Sequence, residues 1–109
     1  VLSDNSREHL VALYFDGSNS VASYSTISIG TANSATVHPR EIFQRAISCG
    51  ATSFVICHNH PSGDPTPSRA DIDMTKEIIE SGKRLGISVH DHIIIGKKGH
   101  VSMKGLLLI

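Results

Sequence analysis

The chain has 109 residues, no net charge and 39% apolar residues, which is typical of one soluble globular domain. Lys and Arg are scattered and form no basic stripe, which argues against DNA binding by this domain alone. No apolar run approaches the roughly 18 residues of a membrane span, and no signal peptide is visible, so we expect a cytoplasmic protein. The length predicts a single domain over residues 1–109, and because the first residue is not Met we expect it to be a fragment of a longer protein.

The first half of the chain predicts a β-hairpin followed by a helix. Residues 9–15 and 20–30 are typical of two strands, and the turn between them is rich in Gly, Asn and Ser. Residues 38–49 predict a helix, with Pro39 at its first position and Gly50 as its stop signal. One apolar face is expected on this helix, made of Ile42, Phe43, Ala46 and Ile47.

The second half predicts a buried strand over 52–57, a helix over 68–86, a strand over 87–96 and a short strand over 101–103. The closing residues 105–109 are expected to form an edge segment or to begin a helix. The second helix carries an apolar face made of Ile72, Thr75, Ile78, Ile79, Gly82 and Leu85.

The resulting order is β-β-α-β-α-β-β, which predicts the α/β class. Each helix connects two strands through a crossover long enough to make those strands parallel. We therefore expect a mixed sheet with one helix on each of its faces.

Two histidines at the end of the buried strand suggest a metal site. Side chains at positions i and i+2 of an extended segment point to the same side, so His58 and His60 can converge on one ion. Asp71, at the third position of the following helix, can supply a carboxylate oxygen, and a loop with three prolines restricts the connection. Three protein ligands of this kind are typical of catalytic zinc, which keeps a place for water.

Two other interpretations of these histidines and their neighbours remain open. Ser68 and Asp71 also match a capping box, in which they would simply start a helix. His90 and His92 form a rival pair with the same spacing, and His92 or Asp91 could instead support the first pair. The remaining residues of interest are expected at the surface (His9, His38 and His100) or as small buried thiols (Cys49 and Cys57).

The motif His58-x-His60-Pro61, followed after six residues by Ser68-x-x-Asp71, resembles the JAMM motif of the JAB/MPN domain metalloproteases. Three longer stretches, "ISIGTANSATVHPREIF", "HNHPSGDPTPSRADI" and "DHIIIG", are similar to the C-terminal domain of the RadC family, long labelled as DNA repair proteins. The resemblance runs from about residue 7 to the end of the chain.

The resemblance implies a three-layer α-β-α sandwich with a mixed sheet, of the cytidine-deaminase-like type. It also implies that His58, His60 and Asp71 bind Zn²⁺ and that Ser68 helps to hold the oxyanion. The general acid/base of the family is a glutamate placed before a short apolar strand. Glu8 occupies that place, and we favour it over Glu41, which lies at a predicted helix start.

The function implied is that of a zinc metallopeptidase that cleaves a peptide or isopeptide bond in a protein or peptide substrate. The alternatives are a non-enzymatic metal-binding docking module in DNA repair or recombination and a metal-dependent nuclease. The zero net charge weakens the nuclease hypothesis. No membrane partner is expected, and the pairing of an apolar sheet edge with a second copy is left open.

Overall fold

The computed structural model describes residues 7–29, 37–97 and 99–109. Lys98 and the polar stretch 31–36, which the sequence predicts to be a connection, lie outside the described residues. The strands and helices follow the predicted order and differ from the predicted bounds by one or two residues at most ends: β1 His9–Phe15, β2 Val21–Ile29, α1 Pro39–Ser48, β3 Ser53–Asn59, α2 Arg69–Leu85, β4 Ser88–Gly96 and β5 Gly99–Ser102.

The five strands form one mixed sheet in the order β2-β1-β3-β4-β5. β3 and β4 are parallel, and the other neighbouring pairs are antiparallel. Residues 103–107 form turns, so the expected edge segment or helix at the end of the chain is not formed. The α/β class and the mixed sheet predicted from the sequence are confirmed.

Both helices pack on the same face of the sheet, so the expectation of one helix on each face is wrong for α1 and α2. The Tyr14 hydroxyl of β1 donates to the backbone carbonyl of Ile42 in α1, and Phe43 of α1 lies against Gly82 of α2. The physical reason is the direction of the crossovers. Both crossover connections, β2-α1-β3 and β3-α2-β4, move across the sheet in the direction from β2 toward β5. Because such connections are right-handed, two that move in the same direction place their helices on the same side of the sheet. In the described residues these helices supply one helical layer.

The core lies between this helical layer and the sheet. Alternate residues of β1 and β3 point into it, as the two-residue period of a strand requires. Phe54 packs at its centre, with ring centroids 5.7 Å from Tyr14 and 5.5 Å from Phe43. The largest apolar members of the core are Leu10, Tyr14, Ile42, Phe43, Phe54, Ile56, Met74, Ile78 and Ile87.

The buried stripe on each helix is narrower than the sequence predicts. Ile47 of α1 is 62% exposed and Leu85 of α2 is 51% exposed, although both were expected in the core-facing stripe. The C-terminal stop of α2 is as predicted, because Gly86 adopts the left-handed conformation with φ of 72°. Cys49 and Cys57 are free and half-buried. Among the described residues, no helix is both long and apolar enough to cross a membrane.

Candidate metal centre

The candidate site forms where β1 begins and β3 ends. These strands are antiparallel and Leu10 pairs with His58, so Glu8, just before β1, lies beside the end of β3. β3 extends to Asn59, two residues beyond its predicted end, and therefore includes His58. His58 points to the same helix-covered face of the sheet as Ile56, two residues earlier, and is fully buried. His60 follows the strand, and its backbone N–H donates to the carbonyl of Ile95 in β4.

The structure brings the predicted site residues together. His58 Nε2 lies 3.4 Å from Glu8 Oε1 and 3.4 Å from Asp71 Oδ1. His60 Nε2 lies 3.1 Å from Asp71 Oδ2. The ligand atoms of Glu8, His58 and His60 all lie within 4.8 Å of one another, which makes this group a candidate metal-binding cluster.

The capping box and the placement of Asp71 at the site occur together. Ser68 Oγ accepts from the Asp71 backbone N–H at 3.0 Å, and Asp71 Oδ2 accepts from the Ser68 backbone N–H at 2.8 Å. Asp71 Oδ1 faces His58 at the same time. The two interpretations of these residues are therefore compatible, because a carboxylate has enough lone pairs to cap a helix and face an ion.

Hydrogen bonding lowers the pKa of Asp71 despite its burial. Burial alone would raise the pKa, but the backbone N–H and hydroxyl of Ser68 and the neighbouring imidazoles of His58 and His60 favour the charged form. Asp71 is therefore an anion at neutral pH, as a metal ligand must be.

The hydrogen bonds of His60 define which of its ring nitrogens faces the site. His60 Nδ1 lies 2.9 Å from the backbone carbonyl of Asp64, which can only accept, so Nδ1 carries the proton. Nε2 lies 3.1 Å from Asp71 Oδ2, which likewise can only accept, so a cation bound by both atoms fits between them. The Pro-rich loop thus holds His60 in the tautomer that a metal ion requires.

His58 provides the test of whether a metal ion fits. Its Nδ1 lies 2.6 Å from His92 Nε2, whereas its Nε2 is buried and makes no hydrogen bond within the described part of the chain. Burial, opposed by the Asp71 carboxylate and assisted by His60, lowers the pKa of His58 to about 4, so the ring is neutral at pH 7. A buried imidazole nitrogen left without a partner between two carboxylates fits a divalent cation that accepts nitrogen and oxygen ligands.

Asn59 is a site residue that the sequence reasoning missed. Its side-chain Oδ1 accepts from the His9 backbone N–H at 2.6 Å, and its Nδ2 donates to the Arg7 carbonyl at 2.9 Å. These two bonds flank Glu8 and fix the backbone from which its carboxylate projects. His9 itself is buried at 7% exposure, so the prediction that it lies at the surface is wrong. An Asn at the end of an apolar strand was the available signal, because a buried amide needs partners.

The rival pair does not form. Phe54 pairs with Val89 and Val55 pairs with Asp91, so His90 is an extra residue in β4, a β-bulge. His90 is exposed and lies near Phe15, whereas His92 is fully buried and contacts His58. Of the two residues expected beside the site, His92 therefore contacts one of the predicted ligands.

The other predicted residues lie apart from these contacts. Asp91 accepts hydrogen bonds from the backbone N–H groups of His92 and Lys104 and from the Ser102 hydroxyl, which connects β4 to the turn after β5. Glu41 is exposed in the first turn of α1. His38 and His100 are exposed, as predicted.

Comparison with known proteins identifies the family. The model of the RadC-like JAB domain matches residues 1–108, and the chain therefore belongs to that family. The arrangement of the sheet and helices is consistent with the JAB/MPN fold that the motif implies. A UPF0758 protein from Desulforamulus reducens is 55% identical over 108 residues, which cover 99% of this chain and 48% of that protein. The chain thus spans about half the length of this relative.

Proposed function

We propose that this domain is a zinc-dependent hydrolase of the JAMM type, a metallopeptidase that cleaves a peptide or isopeptide bond in a protein or peptide. The observation that carries the proposal is the buried His58 Nε2, which makes no hydrogen bond within the described residues and lies 3.4 Å from the carboxylates of Glu8 and Asp71. Membership of the RadC-like JAB family supports the same reaction class.

His58, His60 and Asp71 are the proposed zinc ligands. Two imidazole nitrogens and one carboxylate form a ligand set that is common in catalytic zinc sites and leaves one position open. Zinc, when bound there, polarises the substrate carbonyl and lowers the pKa of water toward about 7. The protein supplies the neutral His58 ring and the ionised Asp71 that this requires.

Glu8 is the proposed general base and general acid. Its carboxylate is 18% exposed and lies beside His58, so it can reach both the site and solvent. It would take a proton from the attacking water and then deliver it to the leaving amine. Its backbone is fixed by Asn59 on both sides, which keeps the carboxylate in place during the two transfers.

Ser68 is the proposed donor to the oxyanion. Its oxygen accepts from the Asp71 N–H, and its hydroxyl proton, which also favours the charged form of the Asp71 carboxylate, would be donated to the negative charge that develops on the substrate carbonyl. A donor of this kind contributes about 3 kcal/mol to transition-state stabilisation.

The test compares Glu8→Gln with Glu41→Gln in the purified protein. Bound metal is measured by elemental analysis, and hydrolysis is measured on peptide and isopeptide libraries with and without chelator. Glu8→Gln should retain zinc and lose roughly 10²- to 10⁴-fold in turnover, while Glu41→Gln should keep both. Full activity of Glu8→Gln would show that Glu8 is not the base. A wild-type protein that binds zinc but hydrolyses nothing would support the docking module instead, and chelator-sensitive cleavage of DNA would support the nuclease.

A further inference from the structure

We propose that Thr75 and His92 are positioning residues that hold the His58 ring in the one tautomer able to bind a metal ion. The inference rests on the proposed metal centre and not on the peptidase activity. Three hydrogen bonds carry it: Thr75 Oγ1 lies 2.7 Å from the Asp71 carbonyl oxygen and 2.5 Å from His92 Nδ1, and His92 Nε2 lies 2.6 Å from His58 Nδ1. Thr75, His92 and His58 are all fully buried, and we call them the Thr75–His92–His58 relay.

The number of available protons determines which atom donates and which accepts in each hydrogen bond of the relay. Thr75 has one hydroxyl proton, and the Asp71 carbonyl can only accept. If Thr75 donates to that carbonyl, its oxygen must accept from His92 Nδ1–H. Neutral His92 then has a lone pair on Nε2 and accepts from His58 Nδ1–H. His58 Nε2 is left with a lone pair, which faces Glu8 and Asp71.

The reversed order would disable the site. If Thr75 donated to His92, then His92 Nε2–H would donate to His58 Nδ1, and His58 would carry its proton on Nε2. That proton would occupy the position of the metal ion. The reversed order would also leave the Thr75 contact to the Asp71 carbonyl without a proton.

The relay also connects two of the proposed ligands. Thr75 is one helical turn after Asp71 in α2. His92 lies in β4, where it pairs with Ile56 of β3 and its ring contacts that of His58. The helix that supplies Asp71 thus orients the ring of His58 through hydrogen bonds. Groups that orient metal ligands in this way commonly change metal affinity when they are removed.

The matched variants are Thr75→Val and Thr75→Ser. Valine keeps the shape of threonine but gives His92 Nδ1–H no acceptor, whereas serine keeps the hydroxyl. We expect the affinity for Zn²⁺, measured by competition with a chelator, to fall roughly 10- to 100-fold in Thr75→Val and to stay close to wild type in Thr75→Ser. Ile78→Val is the control, because it trims the buried face of the same helix without touching the relay.

A second readout follows the protons directly. Nitrogen-15 NMR of the histidine rings in the metal-free protein above pH 7 distinguishes a proton on Nδ1 from one on Nε2. We expect His58 to carry its proton on Nδ1 in wild type and Thr75→Ser, and a substantial fraction on Nε2 in Thr75→Val. If Thr75→Val does not fold, His92→Gln and His92→Phe replace it, since the glutamine amide can accept from His58 and phenylalanine cannot.

Unchanged zinc affinity in Thr75→Val, or a wild-type metal-free protein with the His58 proton on Nε2, would overturn the relay. A wild-type protein that binds no Zn²⁺ would overturn the proposed metal centre instead, because the NMR measurement still reports the proton order without metal. Loss of peptidase activity alone bears on neither result.

Discussion

The end of β3 and the middle of β4 each carry two histidines separated by one residue, yet only the β3 pair reaches a common site. His58 and His60 both turn Nε2 toward Asp71. His90 is displaced by the bulge in β4 and is exposed near Phe15, while His92 is buried against His58. Spacing alone therefore does not make a metal site, because one extra residue in a strand separates side chains that the sequence places together.

The two regions also differ in what surrounds them. The β3 pair meets the start of α2, where Asp71 both caps the helix and faces the rings. Within the described part of the chain the β4 pair meets no such carboxylate, since the nearby Asp91 is occupied by hydrogen bonds from Ser102 and from the backbone of Lys104 and His92. A metal site needs both converging nitrogens and an available anion.

The largest effect expected is the loss of zinc on changing the β3 pair. His58→Ala removes the buried nitrogen between the two carboxylates, so zinc affinity should fall by more than roughly 100-fold, since changes outside the first coordination sphere already cost about 10- to 100-fold. His90→Ala, with the same spacing relation in β4, should retain full zinc content. Elemental analysis after gel filtration measures both variants. Zinc loss in His90→Ala with zinc retention in His58→Ala would show that the β4 pair, and not the β3 pair, binds the metal ion.

The second effect is a fall in stability at acidic pH. Burial lowers the pKa of His58 to about 4 and that of His92 to about 3, from an ordinary 6.5. At pH values between 6.5 and these lowered pKa values, the unfolded chain therefore binds more protons than the folded protein. The free energy of unfolding of the metal-free protein should therefore be highest above pH 6.5 and fall as pH drops toward 4, by a few kcal/mol in order of magnitude.

Urea denaturation at a series of pH values measures this loss. His90→Ala should show the wild-type pH dependence, because His90 is exposed. His92→Gln should show a weaker dependence, because one of the two buried titrating rings is absent. A flat profile for the wild type between pH 7 and 4 would contradict the buried, neutral state of both rings.

A smaller effect is expected from Asn59, which lies between the histidines of the β3 pair. Asn59→Ala leaves the His9 N–H without its side-chain acceptor and the Arg7 carbonyl with the His9 ring as its remaining partner, which should lower the free energy of unfolding by about 1–3 kcal/mol. Turnover should fall more than zinc affinity, because the bonds flank Glu8 and not the proposed ligands. His100→Ala, at an exposed position, serves as the control. A larger loss of zinc affinity than of turnover in Asn59→Ala would argue that Asn59 does not position Glu8.

The fold was largely predictable from local patterns. Period-two alternation, the Pro39 helix start and the Gly86 stop are properties of short segments, and the elements appear in the predicted order. The side of the sheet on which each helix packs was not predictable in this way, because it depends on the order of strands in space. The exposure of Ile47 and Leu85 has a similar origin, since the width of a buried stripe depends on how closely two helices approach.

The sequence by itself indicated the chemical nature of the candidate site: two histidines after a buried strand and an acidic residue at the next helix start, to which the family resemblance added a glutamate before the first strand. Only the tertiary structure decided how these residues meet. The antiparallel pairing of β1 with β3 brings Glu8 across 50 residues to His58, and the bulge separates His90 from His92. Asn59, Thr75 and His92 acquire their contacts from the same packing, because a buried polar group takes its partner from whichever strand or helix lies beside it.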